Sequence, residues 1–478
     1  MSDPRTTSGL ANAVNTGDGP VVPGAPWPPA PASPGRSRPL LTWALAVGWS
    51  LCFHLRAAEA NAPEPAPNPL KLGLDGARRL AFQRNWDLLA VTADVDIAAA
   101  QKIVARQFLN PVAALAVNKI SVDPAHGSST ASGNGLTERS YDSIVAVGQL
   151  LEIGGKRSAR KASAEAGWAG AQARFADARR QLDLGVTRAY VAVLTDEEAT
   201  RILRDSASSL RKEAGIAEAR LKAGDISASD KSQIEIAAER LELEARHAES
   251  EAASARIAVE TLLGEREPKG TFVPADSLEM LVTASSVSAG EPTAAIASRP
   301  DVRAAEAEAQ RARSELDLQK ALRVPDPTLQ FQYEHEPPDQ PHTLGLGVSF
   351  PLPLWNRNRG NIAAADAARQ QADRKATKIA AQAAAEVAVA RREYESALAR
   401  REEYARNIVP KSSSIRETVT FAYQKGGASL LDLLSAERND NEVRLGAAQA
   451  AAEVIVTRAA LAAALNENPD PSKPKPRP

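Results

Sequence analysis

Small and apolar residues recur every three or four positions over long stretches of this chain. In the second half the spacing alternates between four and three, the seam pattern of a coiled coil, at Ala376, Ala380, Ala383, Val387, Ala390, Tyr394 and Ala397. The same pattern begins in the first half at Leu182, Val186, Ala189 and Val193. Because alanine buries little apolar area, such helices need neighbours on both flanks. The pattern predicts long helices packed side by side, as in a layer of helices that closes on itself.

The helical pattern covers matching stretches in the two halves of the chain. The predicted helices are 76–108, 156–221 and 228–263 in the first half, and 300–322, 361–423 and 430–465 in the second. A helix of about 60 residues would be about 90 Å long, far longer than a bilayer is thick. Periodicity alone leaves a soluble coiled-coil scaffold equally open.

Short runs typical of β-strands interrupt the helices in both halves. They are 112–122 and 141–152, which flank a turn-rich segment at 123–134, and 328–336 and 343–352. The run around 141–151 alternates loosely, with Ile144, Ala146, Gly148 and Leu150 on one face. The last run alternates better, with Leu344, Leu346, Val348, Phe350 and Leu352 opposite Gly345, Gly347 and Ser349. An apolar face toward lipid and a small or polar face toward a lumen is the pattern of a membrane barrel, although a soluble antiparallel sheet fits each strand alone.

Four strands are too few to close a barrel in lipid, because the smallest membrane barrels have about eight. No stretch after residue 61 is apolar for 18 residues in succession. Any later membrane segment is therefore expected to be a strand, since only helices and closed barrels satisfy every backbone group in lipid. If these strands span a membrane, at least two chains must complete the barrel together.

The two halves repeat one another at a constant offset of 202 residues (426 minus 224). The first copy reads Leu221-Lys222-Ala223-Gly224 and then Ser227, Asp230 and Glu235; the second reads Tyr423-Gln424-Lys425-Gly426 and then Ser429, Asp432 and Glu437. Leu263 and Glu265 likewise correspond to Leu465 and Glu467. These matches predict a duplicated unit. The predicted domains are a first repeat at 61–266, a connector at 267–295, a second repeat at 296–467 and a disordered tail at 468–478.

The N-terminal segment has the order of a secretory signal. Arg36 and Arg38 precede an apolar stretch at 40–53, and the small-x-small sequence Ala58-Glu59-Ala60 follows. The apolar stretch is too short for a spanning helix, although a short membrane anchor is the alternative. Residues 1–60 are therefore predicted to be a disordered N-terminus and signal peptide. Removing them would also remove Cys52, the one cysteine of the chain.

Composition and motifs argue against an enzyme or a nucleic-acid-binding protein. Lysine and arginine number 58 against 59 acidic residues, so no basic excess indicates nucleic acid. The sequence contains no G-x-S-x-G, P-loop or H-E-x-x-H motif, and it predicts no catalytic site, cofactor or resident metal. Glu334-His335-Glu336, Asp339 and His342 could attract divalent cations, but their place in a proline-rich loop favours a solvated surface. His247, which lies among Glu244, Glu249 and Glu251, is interpreted as part of an exposed helix face.

Two runs of residues resemble the junctions between strands and helices in a known family. The run QLLEIGGKR at 149–157 resembles the strand-to-helix junction of TolC-type outer-membrane factors, and more narrowly of the heavy-metal, CzcC-like branch. The run FPLPLWNRNRG at 350–360 is similar to the other junction of the family. The residues that carry these junctions are Gly154, Gly155, Lys156, Arg157, Pro351, Pro353, Asn356, Arg357 and Gly360. The resemblance covers nearly all of residues 70–467.

The resemblance implies a mainly α fold with a small β part. Duplicated helical hairpins would form an α-barrel, and four strands per chain would contribute to a twelve-strand transmembrane β-barrel in a homotrimer. It also implies an outer-membrane location with a large periplasmic part, and partners in a periplasmic adaptor and an inner-membrane pump of the resistance-nodulation-division class. Such proteins are passive conduits. The heavy-metal branch implies export of Co, Zn and Cd or of Cu and Ni cations.

In this family the hairpin ends close the tunnel, so the resemblance places the tips at Gly224, Ser227, Asp230, Gly426, Ser429 and Asp432. Asp432 matches an acidic constriction position, although Ser435 stands where relatives often carry a second acid. Three carboxylates on one axis would repel one another and attract cations. The competing interpretation is that Asp230 and Asp432 cap the helices that follow them.

Two alternatives in function remain open at the level of sequence. The channel could serve drug efflux or type I protein secretion. The chain could also be a soluble periplasmic coiled-coil adaptor, but an adaptor should have one helical hairpin framed by β-rich halves, and this chain has two hairpins and four short strands.

Overall fold

The computed structural model of the protein describes residues 71–118, 142–283, 292–336 and 340–467. The helices are α1 (Leu74–Arg84), α2 (Trp86–Arg106), α3 (Lys156–Ala223), α4 (Ala228–Leu262), α5 (Leu278–Thr283), α6 (Pro292–Ser298), α7 (Pro300–Ala321), α8 (Arg359–Glu403), α9 (Val409–Gln424) and α10 (Leu430–Ala464). A π-helical turn, Tyr404–Ile408, joins α8 to α9. At 68 residues, α3 is about 100 Å long. The prediction of long packed helices is confirmed.

Six strands complete the described fold: β1 (Lys71–Leu72), β2 (Val112–Asn118), β3 (Asp142–Leu150), β4 (Val273–Pro274), β5 (Thr328–Glu336) and β6 (Gln340–Ser349). Four of them form an antiparallel sheet in the order β2-β3-β5-β6. The central pair, β3 and β5, comes from different halves of the chain. Within the described residues, β2 and β6 are the two edges of this sheet.

Two predicted helices are interrupted in the structure. The stretch predicted at 76–108 is divided at Asn85, whose side-chain Oδ1 accepts the Leu88 N–H at 3.0 Å and so begins α2. The stretch predicted at 361–423 is divided by the π-helical turn, after which Pro410 lies in the first turn of α9. The helical periodicity of the sequence predicted neither interruption.

The register of the sheet corrects the expected faces. Val145 and Val147 lie opposite Tyr333 and Phe331, which in turn lie opposite Leu344 and Leu346, and all six side chains are exposed on one apolar face. Ile144, Ala146 and Gly148 lie on the other face, with Gln330, Gln332, Gly345 and Gly347. The β3 residues grouped on one face from the sequence therefore lie on the side opposite the apolar face of β6. Phe350 and Leu352 also fall beyond the end of β6 at Ser349.

The halves of the chain meet in an apolar core beside the short parallel pair β1–β4. Tyr190 and Phe272 are fully buried there and pack edge to face, with ring centroids 5.7 Å apart. β1 pairs with β4 at Lys71↔Val273 and Leu72↔Pro274, and 273 minus 71 is again 202. The connector predicted at 267–295 thus contains β4 and α5, and α6 crosses its end.

Several sequence predictions lie outside the described residues: the signal segment at 1–60, the turn at 123–134, Asp339, part of the connector at 284–291 and the tail at 468–478. In the part of the chain that the structure describes, one helix is long and apolar enough to cross a membrane by these two criteria alone. This helix is α10, and 44% of its apolar window is buried inside the protein. It packs against α3, α8 and α9 as a core helix of the bundle.

Candidate hairpin tips and strand junctions

Both hairpin tips are built from the same backbone motif. Gly224 ends α3 with φ 83°, and Gly426 follows α9 with φ 77°. At the first tip the Asp225 N–H donates to the Arg220 carbonyl at 2.9 Å, and at the second the Gly427 N–H donates to the Ala422 carbonyl at 2.7 Å. This is the Schellman termination, which requires a left-handed residue and so favours glycine.

A capping box begins the returning helix at each tip. The Asp230 N–H donates to Ser227 Oγ at 3.1 Å, and the Ser227 N–H donates to Asp230 Oδ2 at 3.2 Å. At the second tip the Asp432 N–H donates to Ser429 Oγ at 3.2 Å, and the Ser429 N–H donates to Asp432 Oδ2 at 3.0 Å. Both acids therefore satisfy backbone groups at a helix N-terminus.

The Asp432 carboxylate carries one more hydrogen bond than Asp230 does in its capping box. The Ser429 hydroxyl donates to Asp432 Oδ2 at 2.7 Å, and this bond together with the Ser429 N–H lowers the pKa of Asp432. The cap therefore stabilises the helix most at a pH above the ordinary pKa of an aspartate, and this stabilisation is lost as the pH falls through the lowered pKa. At neutral pH the carboxylate is charged and exposed at the tip.

The two tips pack against each other within one protomer. Arg220 Nη1 donates to the Tyr423 carbonyl at 3.0 Å, and Gln424 Nε2 donates to Glu213 Oε1 at 2.8 Å. Beneath them lies a shared apolar cluster of Leu210, Ala214, Ala217, Ile234, Ala238, Tyr423 and Leu433. Sequence reasoning missed the contact between Arg220 and Tyr423, because it joins residues about 200 positions apart and leaves no local pattern.

The first strand junction is fixed by a buried lysine. Gly154 and Gly155 turn the chain out of β3 with φ 72° and 80°, and Lys156 then enters α3 with a side chain that is only 5% exposed. Its Nζ lies 2.7 Å from Asp326 Oδ1 and donates to the Val324 carbonyl at 2.6 Å. Asp326 Oδ1 also accepts the Ile153 N–H at 2.9 Å. The junction of the first half is therefore anchored on the Pro325-Asp326-Pro327 segment of the second.

Arg157 and the residues of the second junction are less buried than Lys156. Arg157 Nη2 donates to the Arg106 carbonyl at 2.6 Å, and its guanidinium carbon lies 3.7 Å from the centre of the Phe108 ring. At the second junction Asn358 has φ 58°, and its Nδ2 donates to the Gln319 carbonyl at 2.7 Å. Asn356 Oδ1 accepts the Asn358 N–H at 2.9 Å. The other predicted residues of this junction are exposed: Pro351, Pro353, Arg357 and Gly360.

The aromatic rings of Tyr333 and His335 in β5 and of His342 in β6 lie close together. His335 and His342 have centroids 5.2 Å apart, and Tyr333 Oη lies 2.6 Å from His342 Nδ1. Across the described ranges, three or more His, Cys, Asp or Glu side chains are nowhere grouped so that they could hold a metal ion.

A four-stranded sheet with an exposed apolar face, joined to helices far longer than a bilayer, defines the class of membrane channel that combines strands in lipid with a helical conduit. The sequence model of the family described as outer membrane efflux protein matches residues 77–265 and 292–467. The chain therefore belongs to the outer membrane efflux protein family. It is an outer-membrane efflux channel with a large periplasmic part, in a family of transporters rather than enzymes, and the TolC-type resemblance is confirmed.

Named relatives agree with this assignment. The chain is 26% identical over 387 residues to the cobalt-zinc-cadmium resistance protein CzcC of Cupriavidus metallidurans, a match that covers 80% of this chain and 87% of CzcC. Its fold is similar to that of VceC from Vibrio cholerae, with TM-score 0.68, 21% identity and coverage of 82% of this chain and 95% of VceC. It is also similar to CusC, with TM-score 0.70, 18% identity and coverage of 82% and 91%.

Proposed function

We propose that this chain forms the outer-membrane conduit of a tripartite efflux system, as a homotrimer whose strands close one twelve-strand barrel. The observation that carries the proposal is the open sheet: β2 and β6 have no further described neighbour, and one face bears exposed Val, Phe, Tyr and Leu side chains. In lipid an open edge leaves backbone N–H and C=O groups unsatisfied, so another copy must pair with it. Three copies supply enough strands for a closed barrel.

We propose heavy-metal cations as the cargo. The support is the likeness to CzcC, whose name assigns it to cobalt, zinc and cadmium resistance. Copper and nickel are cations of the same class. The partners would be a periplasmic adaptor at the hairpin tips and an inner-membrane pump of the resistance-nodulation-division class, which performs the selection that a wide conduit does not.

The cargo proposal is tested by deleting the gene in its host and measuring growth against each metal. We expect tolerance to cobalt, zinc and cadmium, or to copper and nickel, to fall and to return when the intact gene is supplied again. Unchanged tolerance to all five metals would remove the metal assignment. Capture of a drug pump or a secretion ATPase with the tagged protein would then favour drug efflux or protein secretion.

The two capping boxes give a matched test of gating at the tip. If the Asp432 carboxylates of three copies narrow the closed end of the conduit and hold cations there, Asp432→Ala should raise ion leak in bilayer conductance measurements, because the smaller side chain widens the opening and no longer retains a cation in it. Asp230→Ala removes the same kind of cap from the first hairpin and should leave the leak unchanged. Equal effects of the two substitutions would mean that Asp432 acts only as a cap.

A further inference from the structure

The repeated unit contains one glutamate whose two copies have opposite surroundings. Glu235 and Glu437 are 202 residues apart (437 minus 235) and lie on the returning helices α4 and α10. The side chain of Glu235 is 46% exposed and pairs with Lys231 at 3.4 Å. The side chain of Glu437 is 2% exposed within a single protomer. Its burial therefore needs no partner subunit.

A group of charged side chains surrounds Glu437 but does not satisfy it. The neighbouring Asp440 accepts from Ser412 Oγ at 2.9 Å and pairs with Arg416 Nε at 3.0 Å and Arg444 Nε at 2.8 Å. Glu437 Oε1 lies 3.6 Å from Arg416 Nη1, and neither of its carboxylate oxygens has a hydrogen-bond partner in the described part of the chain. A buried carboxylate in this condition is costly while it is charged.

The first hairpin shows that this charge cluster is not required by the fold. The positions that match Ser412, Arg416 and Asp440 are occupied by Leu210, Ala214 and Ala238, all buried in the apolar cluster beneath the tips. The two hairpins thus differ at these matching positions, which are apolar in the first hairpin and ionic in the second. Replacing buried ions by apolar groups is often neutral or stabilising, so stability alone does not account for the ionic interior.

A break in the α-helix also separates α9, the helix that carries Ser412 and Arg416, from α8. The π-helical turn lies immediately before α9, whereas α3 of the first hairpin runs without a break. Tyr404, at the start of the turn, lies against Gly446 of α10, where an added Cβ would be 2.6 Å from Tyr404 Oη. A local change in helical hydrogen bonding of this kind is a common site of bending.

The protonation of Glu437 changes the charge of this interior. Burial raises the pKa of Glu437, and the nearby Arg416 only partly opposes the rise. The charged groups that face it are Arg416 from α9 and Asp440 and Arg444 from α10. On α3 the buried acid is Glu213, which accepts a hydrogen bond from Gln424. A raised carboxyl pKa means that the packed state holds its proton, so packing is favoured at low pH. The advantage declines as pH rises toward the raised pKa.

We propose that Glu437 makes the second hairpin proton-responsive: neutral Glu437 allows α9 to pack on α10 and α3, and ionisation loosens α9 from its π-helical start to the tip. The first hairpin, which lacks this cluster of charged side chains at the matching positions, stays packed over the same pH range. The consequence for conductance rests on the proposed role of the tips as the closed end of the conduit; the loosening itself does not.

Hydrogen exchange followed by mass spectrometry on the full-length protein in detergent tests the loosening without any substitution. The intrinsic rate of amide exchange itself depends on pH. Dividing the exchange rate of segment 409–444 by that of the matching segment 207–242 cancels this dependence. We expect this ratio to rise several-fold between about pH 5 and about pH 9, through the window above the ordinary glutamate pKa of about 4.3. A constant ratio would overturn the proposal.

Two matched substitutions identify the group. Glu437→Gln keeps the shape of the side chain and removes its titration. In this variant segment 409–444 should exchange at the wild-type rate at about pH 5. At about pH 9 it should exchange several-fold more slowly than the same segment of the wild-type protein. Glu235→Gln, at the equivalent exposed position, should match wild type at both. Identical behaviour of wild type and Glu437→Gln at high pH would exclude Glu437 as the responsive group. If exchange responds to pH but wild-type conductance does not, the inference stands and the proposed gating tip fails.

Discussion

Replacing Gly264 with alanine is expected to destabilise the helical bundle by about 3 kcal/mol. Gly264 follows α4 with φ 81°, a left-handed conformation that costs a residue with a side chain about 1 kcal/mol or more. An added Cβ would also lie 2.2 Å from the Arg84 carbonyl oxygen and 2.7 Å from its carbon. The Cβ is fixed by the backbone of residue 264, and the Arg84 carbonyl is itself backbone, so neither group can rotate away. The helices must shift instead, at a further cost of about 1–3 kcal/mol.

The measurement is the midpoint of thermal unfolding of the purified protein in detergent, at a fixed heating rate. Gly264→Ala should lower it by several degrees. Gly360→Ala is the matched control, because a Cβ at that exposed position meets open space and its backbone is not left-handed. A midpoint for Gly264→Ala equal to that of Gly360→Ala would show that the α4 end and the end of α1 are not in contact as described.

The second large effect is expected from Lys156→Met at the first junction. Methionine keeps an unbranched apolar chain of similar length, while the ammonium that neutralises Asp326 and binds the Val324 carbonyl is lost. Removing one partner of a buried ion pair costs about 3 kcal/mol, since the other is left uncompensated. Because Asp326 also holds the Ile153 N–H, we expect the strand-to-helix junction to loosen and the unfolding midpoint to fall.

Arg157→Met is the control for this prediction. Its guanidinium is more accessible and contacts the Arg106 carbonyl and the Phe108 ring, so its loss should cost about 1 kcal/mol or less. In the double variant Lys156→Met, Asp326→Asn the two costs should be less than additive, because each removes the same interaction. Additive costs, or a Lys156→Met effect no larger than that of Arg157→Met, would contradict the proposed anchoring.

Both large effects depend on contacts between segments that are far apart in the chain. Gly264 meets Arg84 across 180 positions (264 minus 84), and Lys156 meets Val324 across 168. The sequence predicted Lys156 only through the family resemblance and did not predict Gly264 at all. A glycine after a helix is expected as a terminator, but its contact with another helix end has no local signature.

The amino-acid sequence by itself determined the elements whose causes are local. The Gly224 and Gly426 terminations, the Ser227–Asp230 and Ser429–Asp432 capping boxes and the order of helices and strands follow from residues within a few positions of one another. The two copies keep these features at the same offset, because each depends on backbone chemistry that the repeat carries with it. The number of strands likewise indicated that one chain cannot close a barrel.

Only the tertiary structure decided which face each strand presents, which residues Lys156 contacts and how Glu235 and Glu437 differ. Matching positions in the repeat carry the same residue at 235 and 437, yet one is exposed and the other buried, because their neighbours come from different helices. Alanine-rich helices have small residues around much of their surface, so the sequence does not show which side is buried. Burial and pairing are properties of the assembled helices, and they arise only when distant segments pack together.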